Sequence, residues 1–477
     1  MTESSSLPGR QPTVAVVGGG IAGLAAAWEI AGAGARAVVL EAGARMGGKI
    51  VSAEFGGRVV DLGPDAFVAR RPEAVQLCEE LGLADELTAP GSRTAYVWSR
   101  ARLHPLPAGL ALGIPTRLVP LAASGILSPG GLGRVAAELC SPPWRQPGPI
   151  GEDEAIGPLL CRRLGREVVE LLAEPLIGGI HAGSLETMSA AAVFPPLLDA
   201  AARPGSLLRN LRPAAGPRST DGAEPAPVFL TPRGGLSRLV ERLCEALTGL
   251  GATLRTATAV TGLARTVDGR WVVHSAAGEV EADALVMAVP ARPAAELLRA
   301  VDAELASLLA AVRYASVALV TMRFSSDAVR SALQGTGYLV PRGQALLTAC
   351  TWLSSKWPQL ARPDDVLLRV SAGHDGDDRP ATMDDETLVR RAVDELAPAI
   401  GIGGGPLEWR VTRVPDAFAQ YDVGHPGRVA AMDEAAARCG LALAGSALHG
   451  VGIPACIGSG RRAARAVLAR VGSSTPR

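Results

Sequence analysis

Six residues near the start of the chain, Gly18-Gly19-Gly20-Ile21-Ala22-Gly23, have the types and spacing that bind a dinucleotide. Gly18 permits a tight turn, Gly20 lets the main chain approach a pyrophosphate, and Gly23 lets a helix pack closely on a strand. The phosphates then lie at the positive N-terminus of that helix. Glu41 follows Gly20 by 21 residues, the spacing of a carboxylate that binds ribose hydroxyls. The pattern therefore predicts a nucleotide site.

The residues that follow this acid decide which dinucleotide is expected. The run Glu41-Ala42-Gly43-Ala44-Arg45-Met46-Gly47-Gly48 reads ExxxRxGG and resembles the extended fingerprint of the flavin-containing amine oxidase superfamily. In that superfamily the extension binds the diphosphate of FAD. The resemblance implies close main-chain approach at Gly47 and Gly48 and a positive charge from Arg45, for which a solvent-facing arginine is the alternative. NAD is disfavoured because the extension would then have no role.

Four further segments narrow the resemblance to the protoporphyrinogen and coproporphyrinogen oxidases. They are Asp61–Phe67, Glu174–Pro195, Gln420–His425 and Gly450–Ile457, which include the runs DLGPDAF, EPLIGGIHAG, QYDVGH and GVGIPACI. The matches occur in order from residue 14 to about residue 465, so they cover nearly the whole chain. The segment after Asp65 resembles the Gram-positive type of enzyme, which implies coproporphyrinogen III as substrate.

The resemblance also implies cofactor contacts outside the first turn. A glycine turn at a helix N-terminus presents N–H groups to the flavin ring, where negative charge develops during hydride transfer. Val260 resembles the residue that contacts adenine. Trp409 resembles a tryptophan of the cofactor domain, although a plain core tryptophan fits equally. The implied flavin contacts are Gly63, Pro64, Asp65, Val451, Gly452 and Ile453.

A porphyrinogen is a large apolar macrocycle edged with carboxylates, so its pocket needs apolar walls and arginines. By the resemblance, Arg93 pairs with a propionate, and Leu339 and Trp352 sandwich a pyrrole ring. Gly178 and Gly179 would let the main chain pass close to the macrocycle. The alternatives are a solvated arginine for Arg93, core packing for Leu339 and Trp352, and an ordinary turn for the two glycines.

Asp65 is the ionisable residue that we expect nearest the reacting centre. As the candidate catalytic residue, it would accept or steer a proton, or orient a pyrrole N–H. An aspartate that only stabilises a turn after Gly-Pro is the alternative.

The activity implied by the resemblance is the FAD-dependent six-electron oxidation of coproporphyrinogen III to coproporphyrin III in haem biosynthesis. Dioxygen would be the acceptor, hydrogen peroxide a product, and a ferrochelatase the partner that receives the porphyrin. The alternative is a protoporphyrinogen IX oxidase. Further alternatives are a flavin amine oxidase or desaturase-like enzyme, and a non-catalytic porphyrin-binding flavoprotein.

Composition excludes several other classes of protein. The 477 residues include 47 basic and 47 acidic side chains, which argues against nucleic-acid binding. Lysine occurs only at Lys49 and Lys356, a skew that we attribute to base composition. The seven cysteines form no CxxC pair, so we expect no metal site and a reducing, cytoplasmic location. The apolar but proline-broken segment 104–145 leaves open a peripheral membrane contact, an apolar channel or packed core.

These sites require an α/β fold in which distant segments share one sheet. Apolar strands at 13–17 and 37–41 predict a βαβ unit of a buried parallel sheet. We expect a Rossmann-like FAD-binding domain of the p-hydroxybenzoate-hydroxylase-like type, with an α+β substrate domain and an inserted helical domain. The expected ranges are 1–90, 228–300 and 405–477 for FAD binding, 91–103 and 301–404 for substrate binding, and 104–227 for the helical domain with its Pro/Gly-rich linker. Helices are predicted at 154–173 and 383–399, and long strands at 313–324 and 337–352.

Overall fold

The computed structural model describes residues 11–144, 151–212 and 226–473 of the chain. Its strands are β1 (Thr13–Val17), β2 (Arg36–Leu40), β3 (Ser52–Phe55), β4 (Arg58–Asp61), β5 (Phe67–Val68), β6 (Leu87–Thr88), β7 (Tyr96–Ser99), β8 (Arg102–Pro105), β9 (Leu110–Ala111), β10 (Ile114–Pro115), β11 (Phe229–Pro232), β12 (Thr253–Arg255), β13 (Val260–Arg265), β14 (Trp271–Ser275), β15 (Gly278–Ala282), β16 (Ala284–Met287), β17 (Tyr314–Ser325), β18 (Gly337–Leu339), β19 (Leu347–Trp352), β20 (Asp365–Ala372), β21 (Glu408–Ala419) and β22 (Leu441–Leu443).

The helices are α1 (Ile21–Gly32), α2 (Pro72–Glu80), α3 (Leu118–Ser124), α4 (Pro129–Leu139), α5 (Ile156–Leu164), α6 (Arg166–Val168), α7 (Gly179–His181), α8 (Ala190–Val193), α9 (Pro195–Ala202), α10 (Leu207–Asn210), α11 (Ser237–Gly249), α12 (Ala291–Leu298), α13 (Ala303–Ala310), α14 (Leu353–Lys356), α15 (Arg379–Thr382), α16 (Asp385–Ile400), α17 (His425–Arg438) and α18 (Ile453–Ser473). A π-helix (Val169–Gly178) joins α6 to α7, and short 3-10 helices cover Ala84–Glu86, Ser326–Ala328 and Pro358–Leu360.

A five-stranded parallel sheet in the order β12-β2-β1-β16-β22 carries the first glycine turn. Alternate residues of β1 enter different apolar clusters, with Val14 and Val16 on one face and Ala15 and Val17 on the other. Because both faces are covered, the strands are continuous apolar runs rather than alternating ones. The predicted βαβ unit is confirmed, and the sheet combines strands from both ends of the chain.

Helices α1 and α18 pack against each other on one face of this sheet at main-chain distance. A Cβ atom at Gly460 in α18 would overlap the carbonyl oxygen of Ala22 in α1. A Cβ atom at Gly23 would likewise overlap the carbonyl oxygen of Gly18. The first helix is therefore held tightly both against its own turn and against the last helix.

A second sheet has seven strands in the order β21-β17-β20-β19-β18-β7-β8. The predicted strand 337–352 is wrong, because the chain turns between β18 and β19, where Gly343 has a φ of +81°. The predicted strand 313–324 and helix 383–399 correspond to β17 and α16 and are confirmed.

Two of the expected domain ranges need correction. Strand β21 pairs with β17 along its length, so residues 408–419 belong to the seven-stranded sheet and not with the FAD-binding segments. Helix α13 lies in the 301–404 range, yet its Leu305 and Leu309 pack in the apolar cluster beside the parallel sheet. Both errors have one cause: the partner of a strand or helix face is set by distant residues that local sequence does not reveal.

The helices from α3 to α10 surround a third apolar cluster, which includes Ile126, Leu160 and Leu172. The predicted helix 154–173 is interrupted at Gly165, whose φ of +89° ends α5 before the π-helix begins. Part of the predicted linker, residues 213–225, lies outside the described residues. Much of the apolar segment 104–139 packs in this cluster, although Val119 is 79% exposed. Among the helices described, none is long and apolar enough to cross a bilayer.

We predict that Gly460→Ala destabilises the protein by about 1–3 kcal/mol, because the added methyl group forces α18 away from α1. The measurement is chemical denaturation followed by circular dichroism. Gly427→Ala, in helix α17, is the matched control: its Cβ atom meets nothing within 4 Å, so we expect equal or slightly higher stability. Equal effects of the two substitutions would contradict the close approach of α18 to α1.

Candidate active site

The turn between β1 and α1 has the conformation that a diphosphate site needs. Gly18 has a φ of +109°, and a Cβ atom there would lie 2.6 Å from the carbonyl oxygen of Ala288. Gly20 is different, because a Cβ atom at Gly20 meets no atom within 4 Å. The main chain at Gly20 therefore borders open space at the N-terminus of α1, where a phosphate finds unpaired N–H groups.

Glu41 ties this turn to the rest of the site. Its Oε2 atom accepts a hydrogen bond from Gly19 N at 2.6 Å, and its Oε1 atom accepts one from Gly43 N at 2.7 Å. Its carbonyl oxygen accepts a hydrogen bond from Thr258 N at 2.8 Å, which brings the start of β13 at Val260 beside the acid. The carboxylate that the sequence assigns to the ribose thus also holds two loops together, and a contact to ribose stays a prediction.

The second glycine turn lies against the first. Gly47 N donates a hydrogen bond to Gly19 O at 2.8 Å, and a Cβ atom at Gly48 would lie 3.1 Å from Gly20 Cα. Arg45 donates hydrogen bonds to the carbonyl oxygens of Ile50 at 2.8 Å and Gly48 at 2.6 Å. Arg45 therefore stabilises the turn itself, whereas the sequence suggested that its charge serves the diphosphate. The two turns form a cradle that suits a diphosphate.

The closing motif forms the N-terminus of the last helix. Gly450 and Gly452 have φ values of +131° and +92°, and α18 begins at Ile453. The hydroxyl of Tyr421 accepts a hydrogen bond from Gly450 N at 2.8 Å and donates one to Ser446 O at 2.7 Å. Burial raises the pKa of the Tyr421 hydroxyl above its ordinary value, so Tyr421 stays neutral and holds the turn. Val451 lies between the two glycines, so its main chain belongs to this turn.

Asp65 lies at the centre of a buried charge cluster. Its Oδ2 atom accepts hydrogen bonds from Lys356 Nζ at 2.8 Å and Trp357 Nε1 at 3.1 Å, and Arg369 Nη2 lies 3.3 Å from its Oδ1 atom. Burial alone would raise the pKa of Asp65, but the charges of Lys356 and Arg369 hold it well below its usual range. A carboxylate so stabilised is a weak base, so the expectation that Asp65 accepts a proton is corrected. Orientation of an N–H group is still compatible with this geometry.

Arg369 also contacts the segment before Asp65. Its Nη1 atom donates hydrogen bonds to the carbonyl oxygens of Asp61 at 3.0 Å and Gly63 at 2.9 Å. Gly63 itself packs so closely on the main chain that a Cβ atom there would overlap Lys49 O. A continuous path of main-chain contacts thus runs from the glycine turns to the charge cluster, through Gly63 and Pro64.

Leu339 and Trp352 lie on opposite faces of the seven-stranded sheet. Leu339 of β18 pairs with Ala349 of β19. Two residues further along β19, Thr351 pairs with Arg369 of β20. Because side chains alternate along a strand, Leu339 and Arg369 lie on the same face of the sheet. Trp352 pairs with Leu368 on the other face and is 2% exposed in the cluster beneath α16. The expected sandwich of a pyrrole ring between Leu339 and Trp352 is therefore wrong. The sequence showed that side chains alternate between two faces, but it did not show where β19 begins, which decides the face of Trp352.

The structure places Arg93 just before β7, the strand next to the edge strand β8 of the same sheet. Arg93 precedes β7, which pairs in parallel with β18 through Tyr96 and Tyr338. Its Nη2 atom donates a hydrogen bond to Ala226 O at 3.1 Å, and its side chain is exposed. Leu339 pairs with Val97, four residues after Arg93, and the pairing of Arg93 with a propionate stays a prediction.

The paired glycines of the π-helix segment differ from each other. A Cβ atom at Gly178 would lie 3.0 Å from Gly183 O, so packing within the turn is enough to explain this glycine. A Cβ atom at Gly179 meets no atom within 4 Å, so its main chain is open to an approaching molecule. Arg342, three residues after Leu339, joins this turn to the sheet by donating a hydrogen bond to Gly183 O at 2.6 Å.

Trp409 lies away from the site. It pairs with Met322 near the start of β21 and is 39% exposed, so it is neither a cofactor contact nor a core residue. Lys49, next to the glycine turns, donates to Asp416 O at 2.9 Å and Ala417 O at 2.6 Å, seven residues further along β21. At about 3.3 Å per residue, that separates Trp409 from the site by roughly 23 Å.

Sequence reasoning missed Asp61, Arg369, Trp357 and the two lysines as residues of the site. One signal was available, since Lys49 and Lys356 are the only lysines of the chain and both lie here. Arg369 and Trp357 gave no local signal. Across the residues described, no group of three metal-binding side chains occurs.

The family model for flavin containing amine oxidoreductase matches residues 21–468. The chain belongs to this family. As a member of it, the protein is an FAD-dependent oxidoreductase, and the cradle of the two glycine turns and the start of α18 fit that cofactor.

Individual relatives of this family member cover most of its length. The coproporphyrinogen III oxidase of Propionibacterium freudenreichii subsp. freudenreichii is 36% identical, covering 97% of this chain and 92% of its own. The coproporphyrinogen III oxidase of Bacillus subtilis (strain 168) is 32% identical, covering 85% of both chains. A solved structure, provisionally named a protoporphyrinogen oxidase, from Exiguobacterium sp. 255-15 has a TM-score of 0.84 and 32% identity over 98% of this chain and 100% of its own.

We predict that Asp65→Asn lowers the free energy of unfolding by about 3–5 kcal/mol at pH 7, because it leaves two buried cations without their counter-ion. The folded pKa of Asp65 lies below its unfolded value of about 3.9, so this stability is present at pH 7 and is lost as the pH falls below about 4. The measurement is urea denaturation from pH 7 to pH 3.5.

The exposed Asp199→Asn is the control for Asp65→Asn, and we expect a change within about 0.5 kcal/mol. If the difference in the free energy of unfolding between wild type and Asp65→Asn stays constant down to pH 3.5, the charge cluster is not its cause.

Proposed function

We propose that this flavoenzyme oxidises coproporphyrinogen III to coproporphyrin III, removing six electrons in three rounds, with dioxygen as acceptor and hydrogen peroxide as product. The observation that carries the proposal is the name shared by relatives that match over most of both chains. It is supported by a sheet face that carries both Leu339 and Arg369, with Arg369 bound to the segment after the glycine turns. The product is then a substrate for iron insertion by a ferrochelatase.

In this proposal the chain binds, orients and shields. The N–H groups of the two glycine turns would hold the diphosphate, and the N-terminus of α18 would stabilise negative charge on the flavin. FAD, when bound, accepts a hydride and passes the electrons to dioxygen. Asp65, held ionised by Lys356 and Arg369, accepts a hydrogen bond from a pyrrole N–H and so orients the macrocycle.

The substrate walls follow from the same placement. Leu339 offers an apolar contact on the face that carries Arg369. The open main chain at Gly179 admits the edge of the macrocycle. Arg93, exposed just before β7, pairs with a propionate, since its guanidinium matches the geometry of a carboxylate.

Oxidation of protoporphyrinogen IX is the second candidate, favoured by the name of the structural neighbour from Exiguobacterium. The two substrates differ in charge, with four propionates on coproporphyrinogen III and two on protoporphyrinogen IX. The deciding experiment is porphyrin fluorescence under air, with both porphyrinogens at matched concentrations and purified FAD-loaded protein. We expect faster oxidation of coproporphyrinogen III; faster oxidation of protoporphyrinogen IX would establish the second candidate, and oxidation of neither would refute both.

We predict that Arg93→Gln raises the KM for coproporphyrinogen III by about tenfold with a smaller change in kcat, because a charge-assisted hydrogen bond of about 1.5–3 kcal/mol is lost from substrate binding. Arg93→Lys should restore part of the affinity, since the charge is kept but the fork is not. The exposed Arg102→Gln on β8 is the control and should leave KM unchanged. Equal KM values for Arg93→Gln and Arg102→Gln would leave the propionate contact without support.

A further inference from the structure

Asp61 is a buried carboxyl group beside the charge cluster that the proposed function does not use. It ends β4 and is 8% exposed. Its Oδ1 atom accepts hydrogen bonds from Ser52 Oγ at 2.5 Å and from Leu236 N at 2.9 Å. These contacts fix one carboxylate oxygen, so the other is the one available for proton exchange.

A cavity of about 10 Å³ joins this carboxyl group to Asp65. Thr231 and Trp357 also line it, with Gly235 and Leu353 closing its sides. The volume is close to what one water molecule needs, and the two carboxyl groups supply polar partners. The hydroxyl of Thr231 supplies another, because it is buried and has no hydrogen-bond partner among the described residues.

The charges around the cavity give the two carboxyl groups different pKa values. Arg369 forms an ion pair with the carboxylate of Asp65, whereas it donates a hydrogen bond only to the main-chain carbonyl oxygen of Asp61. Lys356 forms an ion pair with Asp65, and Arg233 lines the cavity from the turn before α11. Burial above all, with repulsion from Asp65, raises the pKa of Asp61 to about 6, although the Ser52 and Leu236 hydrogen bonds and Arg369 oppose the shift.

Two neighbouring carboxyl groups in different environments are the usual basis for dividing acid–base roles within one site. Lys356 and Arg369 hold the pKa of Asp65 well below its usual range, which favours an orienting role over proton uptake. The pKa of Asp61, raised to about 6, lies near neutral pH, so Asp61 can both take up and release a proton at little energetic cost.

We propose that Asp61 is the proton acceptor of the oxidation and exchanges its proton with the substrate through one water molecule held between Asp61, Thr231 and Asp65. This inference rests on the proposed function. In each round the electron pair of a meso C–H bond leaves as hydride to FAD, a pyrrole N–H bond breaks, and that proton reaches Asp61. The hydride and the proton then combine with dioxygen as hydrogen peroxide, so that Asp61 returns to its ionised form.

The first test is the pH profile of kcat/KM with the porphyrinogen that the wild type oxidises. We expect a wild-type rise centred near pH 6 and, in Asp61→Asn, a loss of at least about 100-fold at pH 7 with no such rise. Asp61→Glu should restore part of the activity and the rise. Thr231→Val keeps the charges and should lower kcat/KM about tenfold, while the exposed Asp85→Asn should match wild type.

The second test does not use activity. Because the folded pKa of Asp61 exceeds its unfolded value, this residue makes the protein less stable as the pH rises from about 4 to about 6. We expect urea denaturation to show that trend in the wild type relative to Asp61→Asn. Ser52→Ala removes a hydrogen bond to the ionised form and should move the midpoint to higher pH.

The outcomes separate the two proposals. If the wild type oxidises neither porphyrinogen, the proposed function fails, and with it the proton step, whatever the stability data show. If it does oxidise one, a wild-type pH profile in Asp61→Asn overturns the inference about Asp61 and leaves the proposed function standing. If Asp61→Asn does not fold, the inference is decided by Ser52→Ala and Thr231→Val, and unchanged pH profiles in both overturn it.

Discussion

The guanidinium of Arg369 joins the seven-stranded sheet to the segment that follows the glycine turns, at the place where the flavin ring is expected. It projects from β20, in the seven-stranded sheet, and donates to the carbonyl oxygens of Asp61 and Gly63, which follow the glycine turns of the parallel sheet. It also pairs with Asp65. Since Arg369 is 8% exposed, a shift of this segment against the sheet would leave a buried cation without partners. The face that carries Leu339 is thereby held at a fixed position relative to the cradle.

Two further cations link the seven-stranded sheet to the segments that follow the glycine turns. Arg58, on the hairpin of β3 and β4, binds both carboxylate oxygens of Asp365 at 2.8 and 2.7 Å. Lys49 donates to the main chain of β21. Apolar packing accompanies these contacts, because Phe55 and Val60 of the hairpin lie in one buried cluster with Trp357 and Leu367. The cations add directional hydrogen bonds, which fix the separation of the two surfaces. This chemistry suits a fold that must keep room for a cofactor and a macrocycle between its sheets.

Local sequence was sufficient to predict those parts of the site whose conformation depends on residues close in the chain. The turn from Gly18 to Gly23 and the start of α18 depend on glycine conformation and on neighbours within a few residues. Asp65 shows the opposite case: its partner Lys356 lies 291 residues away, and the pairings with Lys356 and Arg369 together make its carboxylate a weak base. Trp352 failed for a related reason, because the face of a residue depends on where its strand begins, and the chain turns at Gly343 before β19 starts. The rarity of lysine was visible in the sequence, but its meaning required the fold.

The order of strands in the parallel sheet also affects how the protein is made. The strand β22 and the helix α18 complete a cradle whose first turn follows β1, and about 400 residues separate β2 from β22. At about 5–20 residues per second, a ribosome needs roughly 20–80 s to supply that missing part. Throughout that interval α1 lacks the helix that packs against it at main-chain distance, and β16 lacks its neighbour β22. The cradle is therefore complete only after α18 has been translated.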